Sequence, residues 1–236
     1  MKRIFSKCTV PIAAVIFTFF TFQLAAQPLP DPERFEPAMR AFEAADRDNP
    51  PPEGAIVLTG SSSIARWNDQ ATAALAPLTV IPRGFGGSIM HDVLYHLDRV
   101  ALKYRPRAIL IYEGDNDTGA ANPIPRELIL DHSRQIIAKI HDALPDTRIY
   151  LLSVKPSVLR WGVWPEAQAV SAGYREIAEQ DPLVYYIDVA TPFLDNDGNV
   201  MADIFVDDNL HFNELGNAIW GSLIKAGLMP VEARYE

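Results

Sequence analysis

The sequence predicts a three-layer α/β/α fold built on a five-stranded parallel sheet. Three observations carry this prediction: five short apolar runs rich in β-branched and aromatic residues, helical patterns between them, and enough chain for one full core. Runs of this kind are typical of strands that are buried on both faces of a parallel sheet. Strands that alternate with helices form right-handed crossovers, and ligands then bind beyond the carboxyl ends of the strands.

The predicted elements follow one another after Gly54. The strands are 55–60 (AIVLTG), 78–82 (LTVIP), 108–114 (AILIYEG), 148–154 (RIYLLSV) and 183–189 (LVYYIDV). The helices are 63–75, 88–102, 125–144, 166–180 and 213–228. In the third helix the apolar residues recur at spacings of three, four or their multiples, which predicts one buried stripe. That stripe consists of Leu128, Ile136, Ile137, Ile140 and Leu144.

Residues 1–26 have the layout of a secretory signal peptide. Three basic residues within the first seven precede an apolar run over 10–22, and two alanines follow it, ending at Ala26. The apolar run is too short for a comfortable membrane span. Leu24 stands where a small residue is preferred before a cut after Ala26, so an uncleaved anchor is the alternative. We expect an exported protein, periplasmic or secreted.

The rest of the chain predicts an N-terminal arm and linker at 27–54 and one domain at 55–236. Without the signal segment, the net charge changes from −9 to about −12, which argues against binding to nucleic acid or to an anionic membrane surface. The single cysteine, Cys8, lies in the signal segment. The mature chain therefore has no disulfide, no thiol nucleophile and no cysteine-ligated metal.

Three polar motifs follow the first three strands, and each has a structural alternative. Gly60 to Ser63 open the first helix, where serines can cap the helix, hold an anion or supply a nucleophile. The glycines of RGFGGS, 83–88, permit a tight turn or present an amide to a developing oxyanion. In YEGDNDTG, 112–119, the acidic residues suit a surface turn or a calcium site, and the amide of Asn116 can donate into a pocket.

The segment FVDDNLHFNELG, 205–216, carries the strongest chemical signal. Asp208 and His211 stand three residues apart just before the last helix. In a turn, that spacing allows the carboxylate to orient one imidazole nitrogen while the other acts as a base toward a hydroxyl. Serine, glycine, asparagine and Asp-x-x-His in this order favour an enzyme. The histidines inside helical patterns are interpreted as packing residues: His91, His96, His132 and His141.

With these motifs the chain resembles the SGNH hydrolases, also called the GDSL lipase/esterase superfamily, over 55–228. GSSSIARW, RGFGGS, EGDND and DNLHFNELG stand where the family has Gly-Asp-Ser, its glycine block, Gly-x-Asn-Asp and Asp-x-x-His. The chain departs from the family at Ser61, which replaces an aspartate. The resemblance implies a flavodoxin-like fold with sheet order 2-1-3-4-5, and it implies no metal and no organic cofactor.

By that resemblance, Ser62 is the nucleophile, His211 is the base and Asp208 is its partner. The oxyanion hole would consist of the Ser62 amide, the Gly87 amide and the Asn116 side chain. The expected reaction is hydrolysis of small carboxylic esters with acetyl or short acyl groups, carbohydrate esters included. An O-acyltransferase that uses the same residues and a non-catalytic flavodoxin-like binding module are the alternatives.

The loop after the fourth strand, KPSVLRWGVWPEAQ at 155–168, is expected to overhang the pocket. As substrate-binding residues, Trp161 and Trp164 would favour sugar rings or short acyl groups, and Arg160 or Lys155 would meet an anionic group of the substrate. The structural alternative is that the tryptophans pack on the helix below. The sequence has no broad apolar lid, which argues against a triglyceride lipase.

Overall fold

The computed structural model of the protein describes residues 28–236, so the predicted signal peptide lies outside the described residues. Five parallel strands form one sheet in the predicted order, β2-β1-β3-β4-β5. The strands are β1 (Ile56–Gly60), β2 (Val80–Gly84), β3 (Ala108–Tyr112), β4 (Arg148–Leu152) and β5 (Val184–Ile187). Of these, β2 lies two residues later in the chain than predicted, and the others fall inside the predicted runs.

The strands are buried because helices cover both faces of the sheet. Every residue of β1, β3 and β4 is buried. Successive side chains of a strand point to opposite faces. On β1, Val57 therefore packs into the core on one side of the sheet, while Ile56 and Leu58 pack into the core on the other side.

Seven α-helices form the two outer layers within residues 28–236, and one short helix lies at the carboxyl edge of the sheet. One face carries α1 (Glu36–Asp48), α4 (Met90–Val100), α6 (Arg126–Ala143) and α7 (Trp164–Glu179). The other face carries α2 (Ser62–Ala65), α3 (Asn68–Leu75) and α8 (Glu214–Glu232). The short helix α5 (Asp115–Gly119) follows β3 directly. None of the described helices has the length and apolar character needed to cross a bilayer.

Four of the five residues of the stripe predicted for the third helix lie on α6, whereas Leu144 follows the end of that helix and is half-buried. Ile136, Ile137 and Ile140 are buried against the sheet, and Ile129 joins them. Leu128 is half-buried at the margin of the same core. The helix therefore buries the face that its apolar spacing predicts.

The helix predicted over 63–75 is divided in the structure into α2 and α3. Trp67 lies at the division and is buried in the core. The next residue, Asn68, bonds the backbone of Gly84 twice: its Nδ2 donates to the Gly84 carbonyl at 3.0 Å, and its Oδ1 accepts from the Gly84 amide at 3.1 Å. These tertiary bonds to the end of β2 provide a physical reason for the division.

The predicted arm and linker contains α1, which packs on the domain. Met39 is buried in the core, and α1 contacts α4. Asp46 of α1 pairs with Arg83 of β2, and Glu43 pairs with Arg99 of α4. This helix therefore packs on the domain, and it lies within the segment expected to be an arm and linker.

Candidate active site

The carboxyl edge of the sheet brings the first serine motif into position through Gly60. Gly60 ends β1 with a φ of +132°, and a Cβ there would lie 2.1 Å from the carbonyl oxygen of Tyr112. Only glycine permits this backbone and this close approach. The amide of Ser61 then donates to the same carbonyl at 3.1 Å. The chain therefore passes from β1 directly into α2, with Ser62 at the first position of the helix.

Of the three consecutive serines, Ser62 is the one that contacts His211. Ser61 and Ser63 are buried, whereas Ser62 is partly accessible. The Oγ of Ser62 lies 2.9 Å from the Nε2 of His211. Because Ser62 is at the start of a helix, its backbone N–H has no partner within the helix. The contact with His211 thus falls on Ser62, the serine that the family resemblance selects.

The segment that holds Asp208 and His211 is a tight turn made by side-chain bonds to its own backbone. The Oδ1 of Asp208 accepts from the amides of Leu210 and His211 at 2.9 and 2.8 Å. Asn209, between Asp208 and Leu210, has a φ of +56°, a conformation that asparagine tolerates better than most residues. The Oδ2 of Asp208 lies 2.6 Å from the Nδ1 of His211. The carboxylate therefore orients the imidazole, whose other nitrogen meets Ser62.

The bonds to Asp208 also determine its ionisation. Burial alone would raise the pKa of Asp208, but hydrogen bonds from the backbone and imidazole of His211 outweigh burial and hold the pKa well below its usual value. The Nη2 of Arg66, the residue that follows α2, lies 3.8 Å from the Oδ2 of the same carboxylate. Asp208 is therefore ionised over the whole neutral range, as a partner of an imidazole base must be.

Asn213 anchors the end of the turn to α8. Its Oδ1 accepts from the amide of Gly216 at 3.0 Å, which caps the helix, and its Nδ2 donates to the carbonyl of Asp203 at 2.7 Å. Gly216 lies so close to Ile204 that a Cβ would be 2.4 Å from the Ile204 carbonyl oxygen. Asn213 and Gly216, which follow His211 in the motif, are therefore structural. They fix the position of the turn relative to the start of α8.

Of the two other predicted oxyanion donors, Gly87 lies on the glycine loop beside Ser62, and Asn116 lies on α5 and bonds that loop. A Cβ on Gly86 would be 3.7 Å from the Cβ of Ser62, so the glycine loop passes close to the serine. Within residues 28–236 the amide of Gly87 meets no hydrogen-bond acceptor. The Nδ2 of Asn116 donates to the carbonyl of Ser88 at 2.8 Å, which leaves its second N–H for another acceptor. The structure therefore gathers Ser62, Gly87 and Asn116 around one loop.

The two positively charged candidates for substrate binding are both engaged inside the protein. The guanidinium of Arg160 donates to Asp115 Oδ1 at 2.5 Å and to Asn116 Oδ1 at 2.8 Å. Lys155 is 2 % exposed, and its Nζ donates to the carbonyl of Leu210 at 2.8 Å. The expectation that Lys155 meets an anionic substrate group is therefore wrong, because a buried ammonium cannot reach a ligand. Arg160 faces the site through Asn116 rather than as a free cation.

The two tryptophans of the same loop pack against each other. Their rings stack at 6.0 Å with an angle of 13° between their planes. Trp164 is 9 % exposed and belongs to the core, and Trp161 packs on that core from outside. The cavity beside Trp164 is formed by α7 and the end of β5 and is lined by neither Ser62 nor His211. Trp164 therefore has the packing role that the sequence left open.

The acidic residues after β3 are buried and are not a surface turn. Asp117 accepts from the amides of Met90 and Gly114 at 3.0 and 2.9 Å, and burial raises its pKa to about 7. Glu113 is fully buried and lies 2.5 Å from the hydroxyl of Ser88, and burial together with Asp117 raises its pKa well above the usual value. Among the described residues no cluster of acidic, histidine or cysteine side chains is arranged for a metal.

Sequence reasoning missed the roles of Glu113 and Asp117. For Glu113, the signal available was its place directly after a fully apolar strand, which predicts burial of the residue that continues the strand. A carboxyl group buried there must either be neutral or accept backbone amides. The structure shows one carboxyl group bonded to the serine hydroxyl of the glycine loop and the other bonded to backbone amides that flank the site.

A parallel sheet in the order 2-1-3-4-5, with serine, histidine and aspartate hydrogen-bonded at its carboxyl edge, defines an SGNH hydrolase-like protein. The chain belongs to the GDSL-like lipase/acylhydrolase family, since the sequence profile of that family matches residues 50–219. No curated protein matches the chain in sequence.

Solved structures support the same fold. A protein from Streptococcus pneumonia, provisionally described as a platelet activating factor, is 21 % identical and superposes with a TM-score of 0.71 over 81 % of this chain and 91 % of that chain. A GDSL-like lipase from Bacteroides thetaiotaomicron is 14 % identical, with a TM-score of 0.68 over 84 % and 98 %. A variant of Axe2, an acetyl-xylooligosaccharide esterase from Geobacillus Stearmophilus, is 12 % identical, with a TM-score of 0.62 over 75 % and 95 %. At these identities the similarity establishes the fold alone.

Proposed function

We propose that this protein is a serine esterase in which Ser62, His211 and Asp208 act as a catalytic triad. The observation that carries the proposal is the unbroken chain of hydrogen bonds from Asp208 Oδ2 through the imidazole of His211 to Ser62 Oγ, with distances of 2.6 and 2.9 Å. Nucleophilic acyl transfer requires an ionised carboxylate, an imidazole that the carboxylate orients, and an accessible hydroxyl that is hydrogen-bonded to that imidazole.

The reaction would proceed in two steps. Ser62 Oγ attacks the ester carbonyl while His211 Nε2 takes the hydroxyl proton, and the carbonyl oxygen becomes an oxyanion. The amides of Ser62 and Gly87 and the free N–H of Asn116 would donate to that oxygen. His211 then protonates the departing alcohol, which leaves an acyl group on Ser62. A water molecule then gives a proton to His211 and attacks the acyl carbonyl. The bond between the acyl carbon and Ser62 Oγ breaks, His211 returns the proton to Ser62 Oγ, and the acid is released.

We propose acetyl and other short acyl esters, carbohydrate esters included, as the substrates. The support comes from solved structures of the same fold, which include an acetyl esterase, an acetyl xylan esterase and an acetyl-xylooligosaccharide esterase. We propose in addition that residues 1–26 direct export, on the pattern of their sequence.

Hydrolysis of p-nitrophenyl esters from acetate to octanoate tests the function. We expect turnover to be highest for acetate and to decline with chain length, and we expect Ser62→Ala to reduce kcat by about 10⁶-fold. Ser222→Ala is the matched control, because Ser222 is an exposed serine on α8. A fluorophosphonate should label the wild type and Ser222→Ala but not Ser62→Ala. A folded wild-type protein with neither turnover nor labelling would disprove the proposal.

A further inference from the structure

The side-chain amide of Asn116 is held at both ends. Its Oδ1 accepts from Arg160 Nη2 at 2.8 Å, and its Nδ2 donates to the carbonyl of Ser88 at 2.8 Å. If the amide flipped by 180°, a donor would meet the guanidinium and an acceptor would meet the carbonyl. Both contacts would then be repulsive, so the direction of the remaining N–H is determined by these two partners.

Arg160 is itself immobilised. A Cβ on Gly119 would lie 2.3 Å from the Nε of Arg160, so the guanidinium lies directly against the backbone of α5. The amide of Arg160 donates to the hydroxyl of Ser157 at 3.2 Å. The side chain of Arg160 is 19 % exposed. The glycine at 119 thus makes room for a guanidinium that reaches Asn116 from the loop after β4.

Asp115 supplies the counter-charge that keeps Arg160 in place. Its Oδ1 accepts from Arg160 Nη1 at 2.5 Å, and its Oδ2 lies 3.2 Å from the hydroxyl of Tyr112 and 3.5 Å from the ammonium of Lys155. Burial would raise the pKa of Asp115, but the charges of Lys155 and Arg160 lower it. The carboxylate therefore stays ionised, and an anionic substrate would have to displace a buried partner to reach Arg160.

We propose that Arg160 is a positioning residue for the oxyanion hole: it binds the amide oxygen of Asn116, aims the free N–H toward the reacting carbonyl and polarises it. The inference rests on the proposed esterase function, because the oxyanion exists only in acyl transfer. A guanidinium that withdraws electron density from the amide oxygen makes the amide N–H a stronger donor. Arg160 would thus act through Asn116 and would not touch the substrate.

A double-mutant cycle on Arg160 and Asn116 tests this role. Removal of one oxyanion donor reduces turnover by roughly a hundred- to a thousandfold, so we expect that loss for Asn116→Ala and a loss of at least about tenfold for Arg160→Met. KM for the neutral acetate ester should stay within about twofold, since Arg160 is not a substrate contact. In an enzyme that already carries Asn116→Ala, Arg160→Met should lower kcat further by less than about threefold, because the partner of Arg160 is already absent.

The control for this cycle is Arg126→Met, which removes a half-exposed arginine at the start of α6. We expect its kinetics to equal those of the wild type. Arg160→Lys, which keeps the charge and one donor, should recover part of the turnover. An Arg160→Met enzyme with raised KM and unchanged kcat, or with an equal loss in the presence and absence of Asn116, would overturn the proposal.

A measurement without turnover separates this inference from the esterase proposal. The side-chain amide signal of Asn116 in a ¹⁵N–¹H spectrum is assigned by its loss in Asn116→Ala. In Arg160→Met we expect that signal to shift and its protons to exchange faster with solvent, while Arg126→Met leaves it in place. If the wild type hydrolyses no ester, the function fails while this spectrum still tests the contact. An unchanged signal would refute the positioning role, and Arg160→Gln replaces Arg160→Met if the latter does not fold.

Discussion

Replacement of Asp208 by asparagine tests the proposed triad most directly. Asp208 Oδ1 accepts two backbone amides, and an asparagine oxygen can accept the same two. The turn should therefore be retained. The second oxygen, 2.6 Å from His211 Nδ1, becomes an NH₂ group. Two donors would then face each other, so His211 must move its proton from Nδ1 to Nε2.

The consequence is a histidine in the wrong tautomer for catalysis. With a proton on Nε2, the nitrogen 2.9 Å from Ser62 Oγ donates to the hydroxyl and cannot take its proton. The corresponding loss in a serine hydrolase triad is about 10⁴-fold in kcat, which equals about 5.5 kcal/mol of transition-state stabilisation. KM for a short ester should change little, because Asp208 lies on the side of the imidazole opposite to Ser62.

The assay is the kcat for p-nitrophenyl acetate, together with the ¹⁵N shifts of the His211 ring. Asp207→Asn is the control, since it removes the charge of the preceding exposed carboxylate, whose side chain has no bond to His211. A folded Asp208→Asn protein that loses less than tenfold in kcat would refute the reasoning. A spectrum that keeps the proton on Nδ1 in that variant would refute it as well.

Two further predictions concern stability. Glu232 of α8 is fully buried, and its carboxylate accepts from Arg148 at 2.6 and 2.9 Å. Glu232→Ala should therefore lower the free energy of unfolding, measured in urea, by about 3–5 kcal/mol. The control is Glu179→Ala at an exposed position, which should change that free energy by less than about 0.5 kcal/mol. The pKa of Asp117 is about 7 in the folded state and 3.8 in the unfolded state. Between these pH values the folded state binds the extra proton, so the free energy of unfolding falls as pH rises through that window, by up to about 4 kcal/mol. Urea unfolding between about pH 4 and 8 should show a flatter profile for Asp117→Asn than for the wild type, and equal slopes would contradict the assignment.

The strands and the order of the site motifs could be predicted because both depend on local chemistry. A short apolar run such as AILIY at 108–112 is typical of a strand that is buried on both faces, and all five of its residues are buried. Parallel strands end at one edge, so the motifs after β1, β2 and β3 had to meet. The spacing of Asp208 and His211 likewise predicted a bond that the turn itself makes.

The details that depend on distant packing could not be predicted. Arg160 was expected to contact substrate, but it bonds Asn116 because a glycine 41 positions earlier leaves room for its guanidinium. Trp164 is a core residue stacked on Trp161, and Lys155 is buried with its ammonium bonded to the carbonyl of Leu210.

The sequence by itself determined the fold class, the strand order through family resemblance, and the residue types gathered at one edge of the sheet. The resemblance also selected Ser62 among three adjacent serines, but only the tertiary structure brings its hydroxyl to the imidazole of His211, across 149 positions of chain. The physical reason is that strand and turn formation follow from neighbouring residues. A hydrogen bond between residues that are distant in the chain forms only when the packing of the whole core brings the two side chains within bonding distance.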